Sequence, residues 1–384
     1  MPAGDPGLQE DSSSARTHAA QGAEELEMLD QLSPRHLRRR LLQLAGVAIV
    51  ITAVVLAVPG LGELRARLAH ASPGWLALGV GLELMSVLSY VLIFRAVFCP
   101  RMGWRFSSQI AMSELAANSL LPVSGAGGLA LGAWALRRGG MDVEQIGRKT
   151  VALYFLTSLA NVFLLIVFAS LYAVGALGED PNSALTYVFG GLAGASVLAV
   201  LAIPPVLRRL SQPASVGGAA GGRIARAVGL VRRSLVDGVP DAVLLLRRRS
   251  PGVLIGSLGT TAFDLAVLGA AFRAIGVSPP IGVLVLGYLI GMLGGNVPLP
   301  GGIGGVDGGL IGAFTLFHEP LAATTVAVLA YHAISLSVPA VVGSVAFVRL
   351  RKTLQRDERP AAICMPLADS IEGVLARTPV PEPG

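Results

Sequence analysis

Six stretches of this chain, at 41–58, 75–94, 150–174, 184–207, 252–275 and 321–348, are apolar. Each approaches or exceeds the roughly 20 residues that a helix needs to cross about 30 Å of hydrocarbon. A chain with six such stretches is expected to be an all-α polytopic membrane protein. Composition agrees: 53% of the 384 residues are apolar and only 14% are charged, with a mean hydropathy of +0.66. Two further apolar regions, 107–138 and 281–317, are interrupted by glycine and proline, which break helices. Residues 126–138 would reach only about 20 Å as a helix at ~1.5 Å per residue, too short to span. Both regions are therefore read as re-entrant hairpins that enter and leave on one side.

The interrupted regions are copies of each other. Asn296-Val297-Pro298-Leu299-Pro300-Gly301-Gly302-Ile303-Gly304-Gly305-Val306-Asp307 has a weaker counterpart in Asn118-Ser119-Leu120-Leu121-Pro122-Val123-Ser124-Gly125-Ala126-Gly127-Gly128, with no gap at a separation of 178 residues. The same offset pairs Ser72-Pro73-Gly74 with Ser250-Pro251-Gly252, and Phe94-Arg95-Ala96 with Phe272-Arg273-Ala274. Three blocks in one ungapped register define two repeats, 72–175 and 250–348, each with a broken helix at its centre.

Charge orients the repeats. Six spans and two hairpins bring both termini to one side, which receives 27 of the 30 basic residues; Arg65, Arg67 and Arg273 fall opposite. The positive-inside rule makes the basic side cytoplasmic. The first hairpin then enters from the cytoplasm and the second from outside. This is an inverted-topology repeat, an arrangement that builds transporter sites at the membrane midplane. Packing left over from an old duplication is the plainer alternative.

The 34–350 membrane domain is flanked by polar tails, 1–33 and 351–384, both expected to be disordered and cytoplasmic. The polar residues before the first apolar run argue against a cleaved signal peptide. Between the repeats lies a basic cytoplasmic linker, 208–250. Within it, 223–236 sets Ile224, Val228, Val231 and Leu235 at helical spacing among arginines, as in a helix lying on an anionic leaflet or in an ordinary basic connector. The net charge of +6 resides in loop arginines and points to anionic lipid, not nucleic acid. Cys99 and Cys364 provide no disulfide framework and are expected to be free thiols.

The acids inside apolar segments are Glu83, Glu114, Asp264 and Asp307. Each is costly in hydrocarbon unless it faces protein or water, so each is a site candidate as well as a candidate for local hydrogen bonding. Glu83 and Asp264 lie one helical turn apart in the repeat register. A half-helix beginning after Pro300 would offer the backbone donors of Gly301, Gly302, Gly304 and Gly305 to an anion, with Asp307 about one turn further on. No nucleotide-loop pattern accompanies these glycines. Gly287, Gly291 and Gly295, four apart, also suit close helix packing. The substrate-site candidates are thus Asn118, Pro122, Ser124, Asn296, Pro300, the four loop glycines and Asp307. Tyr331 and His332 are further polar candidates in the last span. His318 and His332 lack metal-ligand spacing, and no Ser-His-Asp or Cys-His arrangement stands out. An enzyme, a metal and a cofactor are therefore not expected.

The stretch Pro300-Gly301-Gly302-Ile303-Gly304-Gly305-Val306-Asp307-Gly308-Gly309-Leu310 resembles the flippase-like transmembrane domain of lysylphosphatidylglycerol synthases, which many stand-alone bacterial membrane proteins share. The resemblance covers most of 41–350. Asp307 stands where the family usually has Glu, and Tyr331-His332 where it often has Tyr-Arg. Asn118 to Pro122, the Gly/Ala run after them and Leu136-Arg137-Arg138-Gly139-Gly140 extend the match. His332 removes a permanent charge from the pattern. Ser124 and Gly128 fall where other members often carry a basic and an acidic residue. No segment of aminoacyl-transferase size follows residue 350.

The resemblance implies a bacterial plasma-membrane protein that translocates an anionic lipid or lipid-linked intermediate between leaflets. The alternative of a different class is a non-transporting scaffold or regulator of a cell-envelope enzyme; a third is an ion-coupled solute carrier. Membrane lipid is the expected partner, with a second copy or an envelope enzyme as candidate protein partners. A polar centre open to lipid would favour transport. A dry, glycine-packed centre with all four acids locally satisfied would favour the scaffold.

Overall fold

The computed structural model describes residues 70–120, 126–177, 222–293 and 305–356, Cys364, and single positions between 184 and 198. The stretch 41–58, the tail 1–33 and both loop centres lie outside the described residues. The principal helices are α1 (Pro73–Phe98), α2 (Trp104–Leu120), α3 (Ala126–Arg138), α4 (Val143–Ala173), α5 (Gly222–Arg247), α6 (Pro251–Ala274), α7 (Ile281–Met292), α8 (Gly305–Leu316) and α9 (Leu321–Gln355). Among the described residues, α1, α4, α6 and α9 are long and apolar enough to cross a membrane, and α7 and α8 are short apolar helices. These four spans and the four short pieces fall where the apolar pattern put them.

Helix starts recur at the repeat offset. Pro251 follows Pro73 by 178 residues and Leu321 follows Val143 by 178, while α7 and α8 start 177 and 179 residues after α2 and α3. The equivalent helices α1 and α6 both begin with proline after an uncapped serine, Ser72 or Ser250. Proline at the first helical position has its φ preset and lacks an N–H that would have no partner there.

Helices α1 and α6 form the central pair, and they run antiparallel. A Cβ added at Gly256 would lie 2.7 Å from Ile93, one at Gly259 2.7 Å from Ser89 Oγ, and one at Gly252 3.2 Å from Ala96. Further along, Ser86 Oγ donates to the Thr260 carbonyl at 3.3 Å, and the Ser72 amide donates to the Ala274 carbonyl at 2.8 Å. As one number rises the other falls. Arg95 and Arg273, each in the last turn of its helix, therefore sit at opposite ends of the pair.

Each half also packs on the other half's last helix. In α9, a Cβ at Gly343 would lie 2.0 Å from the Met112 carbonyl oxygen of α2; in α7, one at Gly282 would lie 2.3 Å from the Tyr172 hydroxyl of α4. Thr353 Oγ1 donates to Gln109 Oε1 at 3.2 Å, joining the end of α9 to the start of α2. Such approaches are open only to glycine.

Burial is reversed relative to a water-soluble helix pair. On α1 the buried set includes Glu83, Ser86 and Ser89, while Leu78, Leu84, Met85 and Leu88 are exposed. On α6 and α9, Ile255, Leu258, Val341 and Val345 are exposed. Polar residues facing protein and apolar ones facing outward suit a lipid solvent.

Three sequence expectations are corrected. Cys99 and Cys364 are not free thiols but form a disulfide, with Cα atoms 5.8 Å apart. Sequence spacing could not show this because the two are 265 residues apart and meet only when the last helix folds beside the first. The charged segment after 350 does not begin as a tail: α9 continues to Gln355. The linker helix runs from Gly222 to Arg247, past the expected end at 236 and through Pro240. Its second half packs on α4, where a Cβ at Gly238 would lie 2.8 Å from the Arg148 carbonyl oxygen. Asp241 pairs there with Arg148 at 3.0 Å and Lys149 at 3.6 Å.

Candidate functional site

Both broken regions fold as antiparallel helix pairs held by glycine. In the first, Gly128 and Gly132 of α3 face Asn118 and Glu114 of α2. In the second, Gly287 and Gly291 of α7 face Phe314 and Leu310 of α8. The same contact is made twice, with the small residues moved to the other helix. Packing thus accounts for Gly287 and Gly291; Gly295 lies outside the described residues.

Asn118 bridges its break. The Gly128 amide, in the first turn of α3, donates to Asn118 Oδ1 at 2.9 Å. A side chain ten residues upstream thereby satisfies one of the donors that a helix start leaves unpaired. Pro122, Ser124, Asn296, Pro300, Gly301, Gly302 and Gly304 lie outside the described residues. Gly305 is buried and opens α8.

Asp307 lies in the first turn of α8, which is described from Gly305 onward. Its negative charge faces the positive end of its own helix. His332 of α9 comes to it, with Nδ1 2.9 Å from Asp307 Oδ1, an ion-pair distance that is not aligned as a hydrogen bond. His332 Nε2 is buried without a hydrogen-bond partner.

A second polar group gathers one residue away. Tyr331 donates its hydroxyl to Asp264 Oδ2 at 2.9 Å, and Tyr288 of α7 donates to the same oxygen. The two rings meet edge to face, with centroids 6.5 Å apart. Glu83 of α1 is 5% exposed and lies at the level of Asp264 of α6, between the Gly79–Ala270 approach and the Ser86–Thr260 hydrogen bond of the antiparallel pair. Glu83 Oε2 has no hydrogen-bond partner. Nearby, Thr261 Oγ1 donates to Asn161 Oδ1 at 2.6 Å. Glu114 belongs to a separate group, hydrogen-bonded to Tyr90 and close to Tyr154.

The four acids therefore divide among three places. Asp264, Glu114 and Asp307 have neighbouring partners, and Glu83 keeps one oxygen unpartnered. Sequence reasoning paired Glu83 with Asp264 in register but missed Tyr288 and Tyr90. A phenol inside an apolar helix needs an acceptor, and that was the available signal.

The family described as the lysylphosphatidylglycerol synthase TM region has a model that matches residues 43–343. No curated protein and no solved structure matches the chain.

Proposed function

From the premise that this chain belongs to the lysylphosphatidylglycerol synthase TM-region family, we propose that it moves an anionic lipid or lipid-linked intermediate between the leaflets of a bacterial plasma membrane. The observation that carries this reading is the antiparallel pairing of α1 with α6, which are equivalent in the repeat. It supports an inverted-topology repeat with two re-entrant hairpins opening on opposite sides. The contacts of α2 with the end of α9, and of α7 with the end of α4, support the same arrangement. Two broken helices then approach each other from opposite leaflets, at Asn118–Pro122 and Asn296–Pro300. The anionic headgroup binds the backbone donors of Gly301, Gly302, Gly304 and Gly305. Asp307, beside His332, braces this loop and does not touch the phosphate. The excess of basic residues on one side supports a cytoplasmic position for both termini and the linker.

The scaffold reading keeps one specific support: three of the four acids have local partners, and both hairpins are glycine-packed. Reconstitution separates the two. Purified protein in vesicles carrying labelled lipids should speed leaflet exchange of an anionic lipid, and folded Asp307→Asn and Gly304→Val proteins should lose that exchange. Exchange at the protein-free rate across the whole lipid panel would leave the scaffold reading standing. Wild-type exchange in both variants would remove the glycine loop as the substrate site.

A further inference from the structure

The unused oxygen of Glu83 is the feature that neither packing nor headgroup binding explains. Glu83 is 5% exposed, and its Oε2 is buried with no hydrogen-bond partner. At its level on α6 lies Asp264, which accepts two phenolic hydroxyls on one oxygen, from Tyr288 and Tyr331. Two donors converging on one carboxyl oxygen fix Asp264 as an acceptor, a role open to its ionised form. A second ionised carboxylate beside it would bury two like charges, and among the described residues neither acid has an ion-pair partner. Two neighbouring carboxyls in such surroundings hold a proton between them as a coupled pair.

The remaining titratable groups on the adjoining helices are engaged elsewhere. On α9, His332 turns to Asp307 of α8. On α2, Glu114 is bonded to Tyr90 of α1 and lies near Tyr154 of α4. On α4, the neutral Asn161 accepts from Thr261. Asp264, Tyr288 and Tyr331 are thus the groups whose charge or hydrogen bonding reaches Glu83.

We propose that Glu83 and Asp264 form a proton-binding site between α1 and α6, in which Glu83 takes up and releases one proton while Tyr288 and Tyr331 hold Asp264 as the fixed acceptor. The proton comes from and returns to water. The site lies between equivalent helices of the two halves, so a change in its charge alters the surface on which the halves meet. Coupling of that proton to lipid movement rests on the translocation reading; the proton site itself does not.

Two measurements test the two statements separately. Difference infrared spectroscopy of the purified protein during a pH titration should show a carboxyl carbonyl band that is lost in Glu83→Gln and moves its titration midpoint in Asp264→Asn. Size-exclusion profiles and melting curves identify folded variants, and Tyr288→Phe, a milder change, should also move the midpoint. The same band in Glu83→Gln as in wild type would overturn the site. Displacement of the band by sodium at constant pH would replace the proton by a metal cation. In vesicles, an imposed proton gradient should change the wild-type rate of leaflet exchange. A measurable rate indifferent to the gradient would overturn coupling. No exchange at all would overturn translocation, while the infrared titration still decides the proton site.

Discussion

His332 Nδ1 of α9 lies 2.9 Å from Asp307 Oδ1 in the first turn of α8. The contact joins the last span to the helix that emerges from the glycine loop. Removing the imidazole with His332→Ala should strand a mostly buried carboxylate and cost about 1–3 kcal/mol. His332→Arg puts a permanent cation beside Asp307 and should retain most of the stability. Melting curves in detergent check this, and an unchanged midpoint for His332→Ala would dismiss the brace.

Asn118 caps α3 from across the first break. Asn118→Ala should cost about 1 kcal/mol, the usual loss for an N-terminal cap. Hydrogen exchange should accelerate at 126–132 and stay unchanged in α8. Uniform protection in both proteins would mean that the cap contributes nothing.

Two glycines separate close packing from propensity. At Gly343 a Cβ would lie 2.0 Å from the Met112 carbonyl oxygen, whereas at Gly81 nothing lies within 4 Å. Gly343→Ala should destabilise by about 1–3 kcal/mol as α2 and α9 are forced apart. Gly81→Ala should be neutral, or stabilising by roughly 0.5–1 kcal/mol, because alanine favours a helix interior. Equal effects would contradict the packing account.

The Cys99–Cys364 disulfide ties the end of α1 to the segment after α9, where the Cys364 carbonyl also accepts from Gln145 Nε2 at 3.1 Å. Digestion without reductant should yield one linked peptide pair, and Cys99→Ser should lower stability by about 2–4 kcal/mol. Recovery of both thiols in freely labelled form from the unreduced protein would rule the bond out.

Among the described residues, the sequence by itself determined which apolar segments are helices long enough to span. Hydrophobic length and glycine–proline breaks are local properties, so α1, α4, α6 and α9 and both broken pairs were legible. The ungapped offset also anticipated the spacing of helix starts: Pro73 and Pro251, Val143 and Leu321. Partners were not legible. That Tyr288 and Tyr331 meet on Asp264, that His332 reaches Asp307, and that Cys99 finds Cys364 depend on contacts between residues 24 to 265 apart in sequence. Glycine spacing announced close approach, yet only the packed helices decided that Gly343 meets Met112 and Gly256 meets Ile93. The physical reason is that an acid or a glycine inside an apolar run states a need, for a partner or for room. What meets that need is supplied by another helix, whose position is settled by the packing of the whole bundle.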